Sequence, residues 1–346
     1  MSLFGRPRQE KTLRAEAIEP TRRQLLSWGC ACCAAAALPV SARAAQSPAV
    51  QQHLLAARQA AGSDLLAYLK LGEVAAPPAK PTGLSIDELM ALPAPPPGRV
   101  FDNLYFVGSK WVSTWAITTS DGIILIDAMD NDEEAQRIVD GGMQKLGLDP
   151  RRIKLIVVTH GHGDHYGGCG YLTQRYGARV VMSDADWTMM ETKLEFDRPD
   201  WGRPPKRDLS VNDGGTVKLG NTSLDVIITP GHTMGTITLL FDVAEGATKH
   251  RAMLWGGTAF NFGRQPNRVE RLQAYIDATG RAKEIATRQG VDVFISNHNG
   301  YDEAVEKIQK LKAGGPNPFV IGEDATQRAL TVMQECALAT MAVWSA

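Results

Sequence analysis

A chain of 346 residues with 44% hydrophobic and 22% charged residues can bury a full-sized core, which excludes a disordered protein. Its 37 basic residues balance 38 acidic ones, and a net charge of −1 gives no electrostatic pull toward nucleic acid. Small, roughly neutral substrates suit this balance better.

Residues 1–44 stand apart, with seven Lys or Arg, three Glu and no Asp, followed by an alanine-rich apolar run. Thr21-Arg22-Arg23-Gln24-Leu25-Leu26 leads into that run, and Ala42-Arg43-Ala44 offers small residues for cleavage. The arrangement resembles a twin-arginine signal peptide, which implies the twin-arginine export machinery, passage of an already folded protein and a periplasmic location. The alternative is a retained anchor. Against it, the stretch from Leu25 to Val40 is shorter than the ~20 residues a span needs and carries Pro39, so no stable membrane span is expected after cleavage. Cys30, Cys32 and Cys33 fall inside this segment, leaving Cys169 and Cys336, whose pairing in an oxidising compartment the sequence leaves open.

Residues 45–98 open with a helical pattern from Gln51 to Leu71 and turn proline-rich through Pro77, Pro78, Pro81 and Pro95-Pro96-Pro97. This N-terminal extension lacks apolar residues for a core of its own and is expected to lie across the main body or remain partly mobile. Residues 99–346 form the main domain, where short apolar runs alternate with longer helical patterns, the signature of an α/β fold with helices covering sheets. Strands are predicted at 104–107, 115–119, 123–127, 155–159, 179–182, 224–229, 237–241, 251–255 and 291–296. Helices are predicted at 131–146, 168–176, 184–192, 269–288, 302–311 and 325–341, with Gly147, Gly177 and Gly290 as C-caps.

Three buried-looking strands run straight into histidine-bearing turns: Leu155–Thr159 into His160, Val226–Thr229 into His232, and Val291–Ile295 toward His298. Strands covered on both faces deliver such turns to one rim. His160-Gly161-His162-Gly163-Asp164-His165 places three imidazoles and a carboxylate within six residues, with glycines that let the backbone turn sharply. Imidazole and carboxylate are ligands suited to Zn²⁺, and a polar surface loop does not account for their density. Five of the seven histidines sit at such turns; His53 and His250 read as surface residues.

On these residues the chain resembles the metallo-β-lactamase superfamily, whose motif is His-X-His-X-Asp-His followed at long range by two more histidines. The match runs from Arg99 to the C-terminus and includes Asp121–Asp127, the six-residue cluster, Thr229-Pro230-Gly231-His232-Thr233 and Ser296-Asn297-His298. The resemblance implies a four-layered αβ/βα sandwich holding two Zn²⁺ per chain, one on His160, His162 and His232, the other on Asp164, His165 and His298. It also implies a metal-bridging hydroxide as nucleophile, with Asp164 orienting it and Asp127 supporting a ligand from behind. Zinc brings the pKa of bound water to about 7 and polarises a scissile carbonyl. For Asp127 a plain strand-terminating turn is the open alternative.

The branch is read at Leu254–Asn261. Glyoxalase II-like enzymes, lactonases and processing nucleases carry a metal-bridging Asp in a Gly-Asp-Thr pattern, where this chain has Gly256-Gly257-Thr258; another lactamase branch has a cysteine ligand at Thr258. Five histidines and one aspartate without either ligand resemble subclass B3. The expected activity is β-lactam ring opening on a small-molecule substrate, with Thr258 and Asn261 as substrate-binding candidates, although Ala259 and Phe260 depart from the small hydroxyl residues that relatives place here. The alternatives are a periplasmic metallo-hydrolase of lactones, esters or another carbonyl or phosphate substrate, and an exported zinc-binding protein without turnover. Trp111, Trp115, Trp187 and Trp201 read as packing residues or as pocket walls. Cys169 reads as a small helix-start residue. No oligomeric state follows from the sequence.

Overall fold

The computed structural model describes residues 47–78 and 83–345, so the twin-arginine-like segment lies outside the described residues. In chain order the elements are α1 (Pro48–Ala61), a 3₁₀ segment (Leu66–Val74), α2 (Ile86–Met90), β1 (Gly98–Arg99), β2 (Leu104–Phe106), β3 (Trp115–Thr118) and β4 (Ile123–Ile126). The next helix, α3, runs Asp132–Glu134, widens to a π-helix over Ala135–Asp140 and returns to α over Gly141–Lys145. Then come β5 (Ile153–Val157), α4 (Gly163–Tyr166), α5 (Cys169–Tyr176), β6 (Arg179–Ser183), α6 (Asp184–Thr192), β7 (Leu209–Val211), β8 (Thr216–Leu219) and β9 (Thr222–Ile228). The chain closes with β10 (Ile237–Glu245), β11 (Thr248–Trp255), α7 (Arg268–Gln289), β12 (Val291–Ser296), α8 (Asn299–Asp302), α9 (Ala304–Lys312) and α10 (Gly322–Trp344).

All nine predicted strands are present within a few residues, while β1, β7 and β8 are additional. β7 is three residues long, and β8 alternates exposed and buried positions at a sheet edge, so neither carries a strong apolar run. Helices 184–192 and 269–288 fall where expected, and the last helix is longer than its apolar pattern, spanning Gly322–Trp344.

The strands form a seven-stranded sheet, β1-β2-β3-β4-β5-β6-β7, and a five-stranded sheet, β12-β11-β10-β9-β8. β4 to β7 are parallel, as are β11 and β12; the other pairs are antiparallel. The alternation of side chains explains why these strands look uniformly apolar. Ile124, Ile126, Val157, Leu239, Phe241, Leu254, Val293 and Ile295 face the core between the sheets. Their neighbours Ile123, Leu125, Ile156, Leu240, Met253 and Phe294 point outward into the helix-covered layers. Burial on both faces removes the polar alternation of a half-exposed strand. The result is a four-layered α/β sandwich.

The N-terminal extension has no core of its own. α1 lies along α10, with Val50 and Ala75 buried against Ala339 and Val343, and the ion pairs Arg328–Asp64 and His53–Glu335 flank it. In the 3₁₀ segment Tyr68 stacks on Tyr301 of α8 with ring centroids 6.0 Å apart, and Lys70 Nζ donates to the Gly300 carbonyl at 3.2 Å. Cys169 and Cys336 are both buried and are not joined in a disulfide. His250, expected at the surface, is instead drawn into a pair with Asp292 (2.5 Å). Among the described residues no helix is long and apolar enough to cross a membrane.

Candidate metal centre

At one rim the two sheets are tied together by polar contacts that only their strand ends make. Ile237 N donates to the Thr159 carbonyl (2.7 Å), Ser113 N to the Asn297 carbonyl (2.8 Å) and Trp115 Nε1 to the Ser296 carbonyl (3.1 Å). The buried Asn297 amide donates to Thr159 Oγ1 (2.9 Å) and to the Gly256 carbonyl (2.7 Å). The turns after β4, β5, β9, β11 and β12 therefore meet at one place, and they bring together His160, His162, Asp164, His165, His232 and His298, all six buried.

Each imidazole has one nitrogen engaged from behind. Carbonyl and carboxylate oxygens only accept, so the engaged nitrogen carries the proton. Nδ1–H of His160 donates to the Gly256 carbonyl (2.7 Å), that of His232 to the Ala259 carbonyl (2.7 Å), that of His165 to Asp127 (2.7 Å) and that of His298 to the Trp111 carbonyl (3.2 Å). His162 is turned the other way: its Nε2 faces Glu195 (3.3 Å), leaving Nδ1 for the centre. Outer acceptors of this kind set ring orientation and tautomer in metal sites.

The inner nitrogens converge into two groups. Nε2 of His160 and Nε2 of His232 are 3.0 Å apart. Burial holds both rings neutral, far below the ordinary histidine pKa, and the nearby imidazoles push the same way. With both Nδ1 atoms protonated, two lone pairs face each other with no hydrogen between them. That arrangement is repulsive unless a cation lies within reach of both, so the residues fit a metal ion. In the second group His165 Nε2 is 3.1 Å from His298 Nε2 and 3.4 Å from Asp164 Oδ2, which is 3.6 Å from His298 Nε2. Burial opposes charge on His165, but Asp164 and Asp127 outweigh it and raise its pKa to about 10; burial lowers that of His298 to about 4. Donor atoms of His160, His162 and His232 lie close enough to share one ion, as do those of His160, Asp164 and His165.

Local backbone supports this placement. Asp127 ends β4 with φ 63°, a left-handed conformation that costs a non-glycine residue of order 1–3 kcal/mol. Its carboxylate is anchored by Thr159 N (2.7 Å), Thr159 Oγ1 (3.0 Å) and His165 Nδ1, which hold the strained turn in place. A side chain at Gly163 would run into Trp201, a Cβ there lying 2.3 Å from the ring.

Of the two substrate-binding candidates, Thr258 is buried, with its hydroxyl 3.4 Å from Ser296 Oγ and its carbonyl accepting from Tyr275. Its hydroxyl thus points into the protein. Asn261 is half-buried, and its Oδ1 has no hydrogen-bond partner among the described residues. Trp111 is buried beside His298 (ring centroids 5.8 Å), Trp115 and Trp187 are core residues, and Trp201 covers Gly163.

Sequence reading missed three charged groups here. Asp186 of α6 accepts from Gly161 N (2.8 Å), Thr233 Oγ1 (2.7 Å) and Gly235 N (3.0 Å), joining the two histidine turns. Buried Arg271 pairs with half-buried Glu195 at 2.7 Å. Arg271 was detectable in principle, because it stands on the apolar stripe of α7 with Tyr275, Ala278, Ala282 and Ala286. Glu195 lies in a loop with no periodicity and left no signal.

The sequence profile described as the Metallo-beta-lactamase superfamily matches residues 112–245. A hydroxyacylglutathione hydrolase of Rhodopseudomonas palustris (strain BisA53) is 38% identical over 108 residues, which is 31% of this chain and 34% of the relative. That of Acidiphilium cryptum (strain JF-5) is 33% identical over 112 residues, or 32% and 37%. The chain thus spans about a third of the length of these curated relatives. Among solved structures, BJP-1, a subclass B3 metallo-β-lactamase of Bradyrhizobium japonicum, superposes with a TM-score of 0.60 at 29% identity, covering 68% of this chain and 90% of that one. Native FEZ-1 metallo-β-lactamase from Legionella gormanii gives 0.60 at 25% identity, covering 70% and 94%. Fold, histidine cluster and profile point the same way: residues 112–245 match the metallo-β-lactamase superfamily, and subclass B3 enzymes are among the structural neighbours of the chain.

Proposed function

We propose that the chain opens β-lactam rings as a subclass B3-like dizinc enzyme. The observation that carries this reading is at Gly257, where glyoxalase II-like relatives place their bridging aspartate. A Cβ at this position would lie 2.7 Å from His232 Cβ and 2.9 Å from His232 Cγ, so the glycine is pressed flat against His232 and no side chain fits without a shift. The donor set is then five imidazoles and one carboxylate.

In this reading His160, His162 and His232 hold one ion, and Asp164, His165 and His298 the other. Zn²⁺ bound there supplies a nucleophile from water near neutral pH and polarises the substrate carbonyl. Asp164, the one carboxylate of the set, lies 3.4 Å from His165 Nε2 and 3.6 Å from His298 Nε2, where it would orient the attacking water. Phe196, edge-on to His162 at 4.8 Å, and Trp201 wall the centre on the side of the loop after α6.

Zinc-loaded protein is expected to hydrolyse a chromogenic cephalosporin and to lose that activity on chelation. A second reading, thioester hydrolysis, is favoured by the hydroxyacylglutathione hydrolases among the curated relatives. Turnover of a hydroxyacylglutathione with no cephalosporin hydrolysis above buffer would replace the first reading by the second. We also read the chain as exported to the periplasm on the strength of Arg22-Arg23 and the apolar run behind them. Replacing both arginines by lysine should leave the protein in the cytoplasm, and unchanged fractionation would refute that reading.

A further inference from the structure

The Glu195–Arg271 pair takes no part in the chemistry above. Arg271 is 1% exposed and donates from all three guanidinium nitrogens. Its Nε donates to the Gly231 carbonyl (2.9 Å), its Nη2 to the His232 carbonyl, and its Nη1 to Glu195 Oε1 (2.7 Å). Glu195 Oε2 accepts from Arg271 Nη2 (3.1 Å) and faces His162 Nε2 at 3.3 Å. One cation therefore grips the backbone that carries His232 and, through one carboxylate, the ring of His162.

We propose that Glu195, braced by Arg271, is a positioning residue for the triad His160, His162 and His232, setting the ring orientation of His162 and locking it to the turn that carries His232. The proposal rests on reading that cluster as a metal centre. His162 is the one ligand candidate with Nε2 outward, so its orientation depends on an acceptor that the other four do not share. The planar guanidinium reaches two carbonyls and a carboxylate at once, a geometry an ammonium cannot reproduce. Phe196, the next residue, stands edge-on to the same ring, so the loop confines His162 by a hydrogen bond and by packing.

The test titrates metal-free protein with Zn²⁺ against a chromophoric chelator and with Co²⁺ followed by visible absorption; wild type is expected to take up two ions. Glu195→Ala should weaken one of them by about 10- to 100-fold and shift the Co²⁺ bands, the effect expected for an outer-shell partner. Glu195→Gln, which keeps an acceptor for His162 Nε2–H, should restore most of that loss. Wild-type affinity and unshifted bands in Glu195→Ala overturn the proposal while leaving the metal centre standing. So does an equal loss at both sites that glutamine fails to rescue, which marks a merely structural role. A wild-type chain that takes up no ion overturns the metal-centre reading itself. Should Glu195→Ala not fold, Arg271→Lys decides: a selective loss at one site supports the proposal, and wild-type affinity at both refutes it.

Discussion

The two halves of the centre are built on different principles. His160, His162 and His232 are three imidazoles backed by two backbone carbonyls and the Glu195–Arg271 pair, with the inner nitrogens of His160 and His232 3.0 Å apart and no carboxylate among the three. Asp164, His165 and His298 contain their own counter-charge, and the carboxylates of Asp164 and Asp127 flank His165 from both sides. The first group coheres through its surroundings, the second partly through itself. Neutral nitrogens crowded together need either a cation or a rigid frame, whereas a carboxylate–imidazole pair is attractive by its own electrostatics.

The sharpest way to break this comparison is His160→Ala, which removes the residue whose donor atom lies within reach of both groups. On the proposed function, hydrolysis by the zinc-loaded variant should fall at least about 10³-fold, because His160 would position the ion that drives the reaction. Loss of one ion by elemental analysis with turnover unchanged would dissolve the proposed link between the two groups.

Asp127→Asn probes the second group from behind. It keeps the side-chain volume but removes the charge facing His165 Nδ1, and zinc affinity at one site should drop by about 10- to 100-fold in the chelator competition. An unchanged affinity would mean that Asp127 serves only the turn at the end of β4.

The support beneath His298 is titratable. Asp302 accepts from Ser296 N (2.9 Å) and Ala304 N (3.2 Å), and burial raises its pKa from 3.8 to about 6 against the pull of Lys307. A folded-state pKa above the unfolded one means ionisation is costlier in the fold. This group's contribution to stability therefore improves as pH falls from 6 toward 4, with a slope approaching about 1.4 kcal/mol per unit. Urea unfolding of metal-free protein should give a change in stability from pH 7 to pH 4.5 that is less favourable in Asp302→Asn than in wild type; equal changes would contradict the assignment.

The smallest effect is expected at Cys169, a buried thiol beneath the second group whose pKa is pushed well up, chiefly by burial. A protonated, inaccessible thiol is a poor ligand, so Cys169→Ala should leave zinc affinity within about twofold of wild type. A larger change would add the thiol to the second group.

Much of the site was legible before any coordinates. Glycines interleaved with ligand candidates in His160–His165, and His232 and His298 after apolar strands, are local features, since composition and spacing of a few residues announce them. The strands were equally readable, because burial on both faces makes Leu155–Val158 or Val291–Ile295 continuous apolar runs. β7 and β8 were not, since β7 is only three residues long and β8 alternates exposed and buried positions.

By itself the sequence determined the donor inventory, the alternation of strands and helices and the absence of a carboxylate at Gly257, all properties of residue identity and short-range pattern. Tertiary structure alone decided which nitrogen of each imidazole faces inward and that Thr258 turns its hydroxyl to Ser296. It also decided that Asp186, Glu195 and Arg271 tie the histidine turns together from positions tens of residues away. Those outcomes depend on hydrogen bonds between strand ends distant in the chain, whose geometry exists only once the two sheets have closed on each other.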